Sequence, residues 1–392
     1  MNLLLKNLCW HNGMEKIAGD VRIENGIIAE IGINLHPKKS ELVGNFKDSF
    51  LYPGLINGHD HLEMNLYPKL GTPPYLNYVE WAKDIYHPTQ SPLREIENLK
   101  IETRLLWGGL KNLIAGATTV IHHNPWHRSL ANKNFPVKVL KIAWAHSLAF
   151  GKNISKSFPR QQNIPFVIHA AEGIDPFAFS EISKLQDLNL LKKNTVLVHA
   201  VGLDNESIET LLRHQVSMVW CPASNLFMFD RTAPVHTLKN KIAVSLGTDS
   251  TLTGSPTLLD ELEAAGKTKS VSSREIFEMV TLLPARIFNL PSPLIAVGQP
   301  ADLFVTPIKK DDYFENLLKI KPANISLVMS NGLPRLKDIE SADKWPTMKN
   351  KVSIHGVFKY CDIEVAALKA KIEKKVPSEI LEKNPLWKLI EI

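Results

Sequence analysis

The sequence predicts an α/β protein with a helix-covered parallel sheet at its core, on three observations. Short apolar runs recur through residues 51–287: LYPGLIN, ATTVIHH, VKVLKIAWA, PFVIHA, TVLVHA, VSMVWC and IAVSLG. Helical patterns at 92–115, 178–192 and 204–214 separate several of them. The runs are apolar throughout rather than alternating, as strands buried on both faces require. Such repeated units build a (β/α)8 TIM-type barrel. Seven strands are legible where eight are expected, so one unit is shortened, with its place expected between His127 and Val137.

Before the barrel, residues 1–50 read as short strands. LLLKNLCW, VRIENG and IIAEIG flank Asn-Gly turns, which favour hairpins. The apolar start is broken by Lys6 and lacks a small-residue cleavage site, so it reads as a first strand rather than a signal peptide. After the barrel, ADLFVTP and ISLVMSNG are again strand-like. The expected organisation is a composite β-sandwich from 1–50 and 288–340, a barrel over 51–287 and a helical C-terminal extension over 341–392. That last segment holds DIEVAALKAKIEKK and the apolar end LWKLIEI.

Composition narrows the function. The chain has 392 residues, 44% hydrophobic and 22% charged, enough apolar mass for a large core. Its net charge of +6 is scattered apart from Lys369, Lys371, Lys374 and Lys375, with no nucleic-acid motif. No apolar run is long enough to span a bilayer. Three widely spaced cysteines (Cys9, Cys221 and Cys361) indicate a reducing compartment, hence a cytoplasmic location. A small-molecule substrate is therefore expected, with no nucleic-acid or membrane partner; a homodimer is the default assembly.

The residues that carry chemistry end the apolar runs. His59 and His61 follow LYPGLIN, His169 and Glu172 follow PFVI, His199 follows TVLV and Asp249 follows AVSLG. In a parallel barrel these ends open on one face, where active sites are built. Residues two apart on a strand point the same way, so both imidazoles of His59-x-His61 can reach one ion. His169 and Asp249 complete a shell of three imidazoles and a carboxylate, suited to zinc, with iron or manganese as alternatives. One divalent ion there would lower the pKa of a water to about 7. Each residue alone has a plainer reading: a hydrogen-bonded strand-end histidine, or a helix N-cap in Gly-Thr-Asp. The ordered set is what argues for a site.

PGLINGHDHLEMN, GATTVIHH, IHAAEGID, VLVHAVGLD, WCPASNLFMF and LGTDS resemble successive motifs of the amidohydrolase superfamily. The likeness is to its cytosine-deaminase-like and chlorohydrolase-like branch. TLLPARIFNL followed by VGQPADLFVTP is similar to that family's exit from barrel to β-sandwich. The resemblance implies that His59, His61, His169 and Asp249 are metal ligands, that Glu172 shuttles protons, and that His199 lies beside the attacking water. It further implies hydrolysis of a C–N bond, with deamination of an amino-substituted aromatic heterocycle foremost. Cyclic-amide or triazine hydrolysis is the alternative, and an inactive interaction protein a third, opposed by the complete ligand set.

Substrate-binding candidates are His146, His123 and Asn225. His146 in IAWAHSL is similar to a His-Ser position bordering the substrate, or is structural. Alternation allows at most one of His122 and His123 to face the pocket. Asn225 either shapes the mouth of the site or, the favoured reading, caps a turn. Trp81, Trp126 and Phe227 form an aromatic wall or belong to the core. A two-metal variant would need a carboxylated Lys138 or Lys141, which the His-x-x-Glu pattern disfavours. The 123–168 segment is shorter than the family's two usual units, and no arginine there aligns with a substrate clamp.

Overall fold

A computed structural model describes residues 1–339, 345, 348 and 350–392. Apart from the first half of LYPGLIN, the apolar runs form short parallel strands arranged in a ring. Leu55–Asp60, Ala117–His122 and Lys138–Leu140 make one sheet; Ala143–Ala145, Phe166–Ala170, Thr195–His199, Ser217–Trp220 and Val244–Leu246 make another. The two meet through a parallel bridge between Asp60 and Asp249, where the Asp249 N–H donates to His59 O at 3.1 Å. Phe166–Ala170 and Thr195–His199 are buried along their whole length, matching their unbroken apolar sequence.

The other seam holds the shortened unit, and its place differs from the expected one. Only Lys141 and Ile142 separate Lys138–Leu140 from Ala143–Ala145. Parallel neighbours need a crossover of a dozen or so residues, so these are two halves of one kinked run. The first half lies along Ala117–His122, with Val139 opposite Val120; the second lies along Phe166–Ala170, with Trp144 opposite Val167. What is missing is the helix between the halves, not a strand between His127 and Val137. That stretch carries only the 3-10 turn Arg128–Ala131.

The two chain ends share one ten-stranded sheet. Its order is Ile390–Glu391, Asn350–Ile354, Val357–Cys361, Leu333–Asp338, Leu327–Ser330, Leu303–Pro307, Leu42–Pro53, Asn2–His11, Lys16–Glu24 and Ile27–Gly32. Two expectations are corrected here. LYPGLIN is not one strand: Leu51–Pro53 ends the long strand of this sheet, and the barrel begins after Gly54. A β-carbon at Gly54 would lie 2.2 Å from Thr118 Oγ1, so only glycine allows the chain to turn there. Nor is 341–392 wholly helical. Asn350–Ile354 and Val357–Cys361 extend the sheet before the helices Val365–Glu373, Ser378–Leu381 and Pro385–Leu389. The boundary expected at 340/341 lies outside the described residues.

Helices begin where side chains satisfy their free N–H groups. Asp204 accepts from Ser207 N, Thr257 accepts from Asp260 N, and Ser272 with Glu275 forms a capping box. Among the described residues no helix is long and apolar enough to cross a membrane.

Candidate active site

The strand ends bring His59, His61, His169 and Asp249 together at one mouth of the ring. His59 Nε2 lies 3.2 Å from His169 Nε2 and 3.7 Å from Asp249 Oδ1, and His61 Nε2 lies 3.5 Å from the same oxygen. The donor atoms fall into two sets sharing His59: His59, His61 and Asp249, and His59, His123 and His169. All five residues are buried.

Two of the ligand candidates, His169 and Asp249, are aimed by a second contact. The His169 Nδ1–H donates to His146 O at 2.7 Å, which leaves a lone pair on Nε2 facing His59. Asp249 Oδ2 accepts from the hydroxyls of Ser224 at 2.9 Å and Thr253 at 2.8 Å, which leaves Oδ1 for the imidazoles. Asp249 takes a left-handed backbone, φ 56°, and His199 does so at 73°. Non-glycine residues hold such conformations only where the surroundings enforce them.

The electrostatics suit a cation. Burial lowers the pKa of His59 to about 3 and that of His169 well below its ordinary value, so both are neutral imidazoles. Burial opposes ionisation of Asp249, but the His59, His61 and His199 rings hold its pKa well below the carboxylate range. Two neutral ring nitrogens 3.2 Å apart form a nitrogen-rich cradle beside a carboxylate, and among the described residues His59 Nδ1 and His61 Nδ1 have no hydrogen-bond partner. That donor set fits a divalent zinc or iron ion.

Facing this cluster, His199 Nε2 lies 3.6 Å from Glu172 Oε1. The His199 Nδ1–H donates to Asn225 Oδ1 at 2.8 Å, so the ring is fixed in orientation. Burial, reinforced by the Asp249 charge, pushes the pKa of Glu172 well above its ordinary value and so favours its protonated form. Behind it, burial raises Glu181 to about 7 although the Tyr78 hydroxyl donates to it at 2.9 Å.

A cavity of about 650 Å3 opens onto His61, His169, Glu172, His199 and Asp249. Its outer wall is mostly apolar, including Met64, Tyr67, Leu70, Trp81 and Tyr86. His146 lines it, half-buried, with burial lowering its pKa to about 4. His123 and Asn225, expected to touch substrate, do not line it. The His123 ring stacks on His169 with centroids 4.4 Å apart and donates from Nε2 to Ala145 O, so it packs beneath the cluster. Asn225 neither shapes the mouth nor caps a turn; it holds His199. Trp81 belongs to the wall, whereas Trp126 packs on the core and Phe227 lies under the Lys69 ammonium. Lys138 pairs with Asp302 and Lys141 is exposed, so neither reaches the cluster.

Sequence reasoning missed Ser224, Thr253, Tyr67 and Tyr78. Ser224 had a signal, since it lies inside the quoted WCPASN motif; the others depend on loop paths with no local signature.

The sequence profile of the amidohydrolase family matches residues 131–358. A 5-methylthioadenosine/S-adenosylhomocysteine deaminase from Thermococcus onnurineus (strain NA1) is 23% identical over 373 residues, covering 79% of this chain and 86% of that protein. Among solved structures, an adenosine deaminase from Xanthomonas campestris with bound zinc superposes with a TM-score of 0.75 at 18% identity, covering 95% of this chain and 97% of the other. An atrazine chlorohydrolase from Arthrobacter aurescens TC1 complexed with zinc gives 0.71 at 16%, covering 94% and 100%.

Proposed function

Since the chain belongs to the amidohydrolase family, we propose that it is a metal-dependent hydrolase of C–N bonds that deaminates an amino-substituted aromatic heterocycle, a nucleobase derivative. The observation that carries this is Glu172 lying 3.6 Å from His199 in the same cavity that opens onto His61, His169 and Asp249.

His59, His61, His169 and Asp249 would hold one divalent ion, with zinc supported by the donor set and by the zinc in the two similar structures. When bound, the ion supplies Lewis acidity that makes water nucleophilic at neutral pH. His199, oriented by Asn225, positions the water and the ring. Asp249 accepts the water's proton as its oxygen bonds the amino-bearing carbon. Glu172 gives its proton to the ring nitrogen, Asp249 passes the water-derived proton to the amine, the C–N bond breaks and ammonia leaves, and Glu172 regains a proton from the remaining hydroxyl as the carbonyl forms. Proton transfer by one such carboxyl contributes ~10²–10⁴-fold.

The cavity supports a purine carrying an uncharged, apolar substituent. Its outer wall offers aromatic and aliphatic faces, with Lys83 and Glu97 as the charged residues among them. The same wall also suits an alkylated triazine, as the chlorohydrolase likeness suggests. Zinc-loaded protein incubated with purine nucleosides, 5'-substituted adenosines and triazines separates the readings by the group released. Ammonia from an adenosine derivative supports the first reading; chloride or alkylamine from a triazine, with no ammonia from any purine, replaces it with the second. The unpaired Cys9, Cys221 and Cys361 support a cytoplasmic setting.

A further inference from the structure

Behind the ligand cluster, on the side away from the cavity, lies a buried ion pair. Alternation along the strand sends His59 and His61 to one side and Asp60 to the other. There the Asp60 carboxylate meets Lys111 Nζ at 3.3 Å, and both side chains are wholly excluded from solvent. Lys111 comes from the helix Ile101–Leu113.

The partners of this pair join three segments. Lys111 Nζ donates to Asn65 Oδ1 at 2.8 Å and to Thr248 Oγ1 at 2.9 Å, and lies 3.4 Å from Asp249 O. Asp60 accepts from Asn65 at 2.9 Å, Asn112 at 2.8 Å and Asn57 at 3.3 Å. Asn57 also donates to Thr248 Oγ1 at 2.8 Å. A buried pair is costly to desolvate and adds little net stability over apolar packing. Its geometric consequence is more specific. Asp249 is held in a left-handed backbone from both sides: its N–H by His59 O, and its carbonyl by Lys111.

We propose that Lys111 is a positioning residue for the metal centre: its ammonium locks the His59-x-His61 strand end to the Asp249 loop and so sets the spacing of the ligands. The proposal rests on the one-metal reading above. Lys111 touches no ligand side chain and acts through the backbone of Asp249 and through Asp60.

Two substitutions test it. Lys111→Met removes the charge and all its donors. Thr248→Val is nearly isosteric and removes the hydroxyl at which Lys111, Asn57 and the Asp249 carbonyl meet, so it serves if the first variant does not fold. Zinc affinity is measured by chelator competition, and ligand geometry by the visible spectrum of the cobalt-substituted protein; neither readout needs substrate. The expected result is zinc affinity reduced about 10- to 100-fold and a shifted cobalt band in each folded variant. In Thr248→Val the melting temperature of the metal-free protein should stay close to wild type. Wild-type zinc affinity with an unchanged cobalt spectrum in Thr248→Val, or in folded Lys111→Met, overturns the proposal. A wild-type chain whose zinc is not lost on His59→Ala substitution overturns the one-metal reading first, and this proposal with it.

Discussion

At Glu172 the environment and the chemistry meet in one side chain. Burial raises its pKa and so favours the protonated, donating form, and His199, 3.6 Å away, is itself pinned by Asn225. Glu172→Gln preserves size and removes proton transfer, so kcat should fall ~10²–10⁴-fold while KM changes little and zinc content stays at one equivalent. A drop below tenfold in steady-state kinetics would remove Glu172 from the reaction. Because its raised pKa keeps the proton on, kcat/KM should decline on the alkaline side as that proton is lost. The convergence of His59, His61, His169, Glu172, His199 and Asp249 was legible in sequence because each follows or ends an apolar run, and strand ends converge in a parallel barrel. The role of Asn225 and the seat of His123 were not. Both depend on which ring a side chain meets across the barrel, a distance that no local pattern encodes.

Elements behind the site add their own pH dependence. Glu261, on the helix Leu258–Lys267, is fully buried; it accepts from Ala223 N at 2.9 Å, and burial raises its pKa from 4.5 to about 7. Between those two values the folded state keeps a proton that the unfolded state has lost, so stability falls as pH rises through that window and levels off above it. At about 1.4 kcal/mol per unit, this group's penalty reaches about 3 kcal/mol above pH 7. Glu261→Gln mimics the protonated form. Relative to wild type it should be near neutral at pH 4.5 and gain stability up to pH 7.5 in urea titrations; a constant difference across that range would contradict the assignment. The element pattern itself was legible wherever apolar runs were long. VKVLKIAWA reads as one run, but its split into two halves within 138–145 was not legible, because the two-residue kink carries no glycine or proline to mark it. The strands at 350–361 were hidden by a lysine-rich surrounding whose ammonium groups the fold partly buries, as Lys359 shows by donating to Ile325 O at 2.7 Å.

The whole molecule ties its chain ends to the site. Asn384, wholly buried in the C-terminal segment, donates to Asn65 O at 3.1 Å and Tyr67 O at 2.7 Å, so the tail supports the loop that follows His61. A ligand cluster closed by the first and last barrel strands makes metal binding and folding one linked equilibrium. Dialysis against a chelator should therefore lower the melting temperature, with recovery on adding zinc; an unchanged transition would mean that the cluster holds no ion in solution. The barrel and the joining of both ends in one sheet were readable because periodicity and turn chemistry are local. The tail's contact with Asn65, which spans most of the sequence, was beyond local reading. The central claim is that four side chains share one ion, and anomalous X-ray scattering at the zinc edge tests it most directly. The account expects a single peak about 2.0–2.2 Å from the donor atoms of His59, His61, His169 and Asp249. No peak there, or a peak that excludes His169 or Asp249, would contradict it.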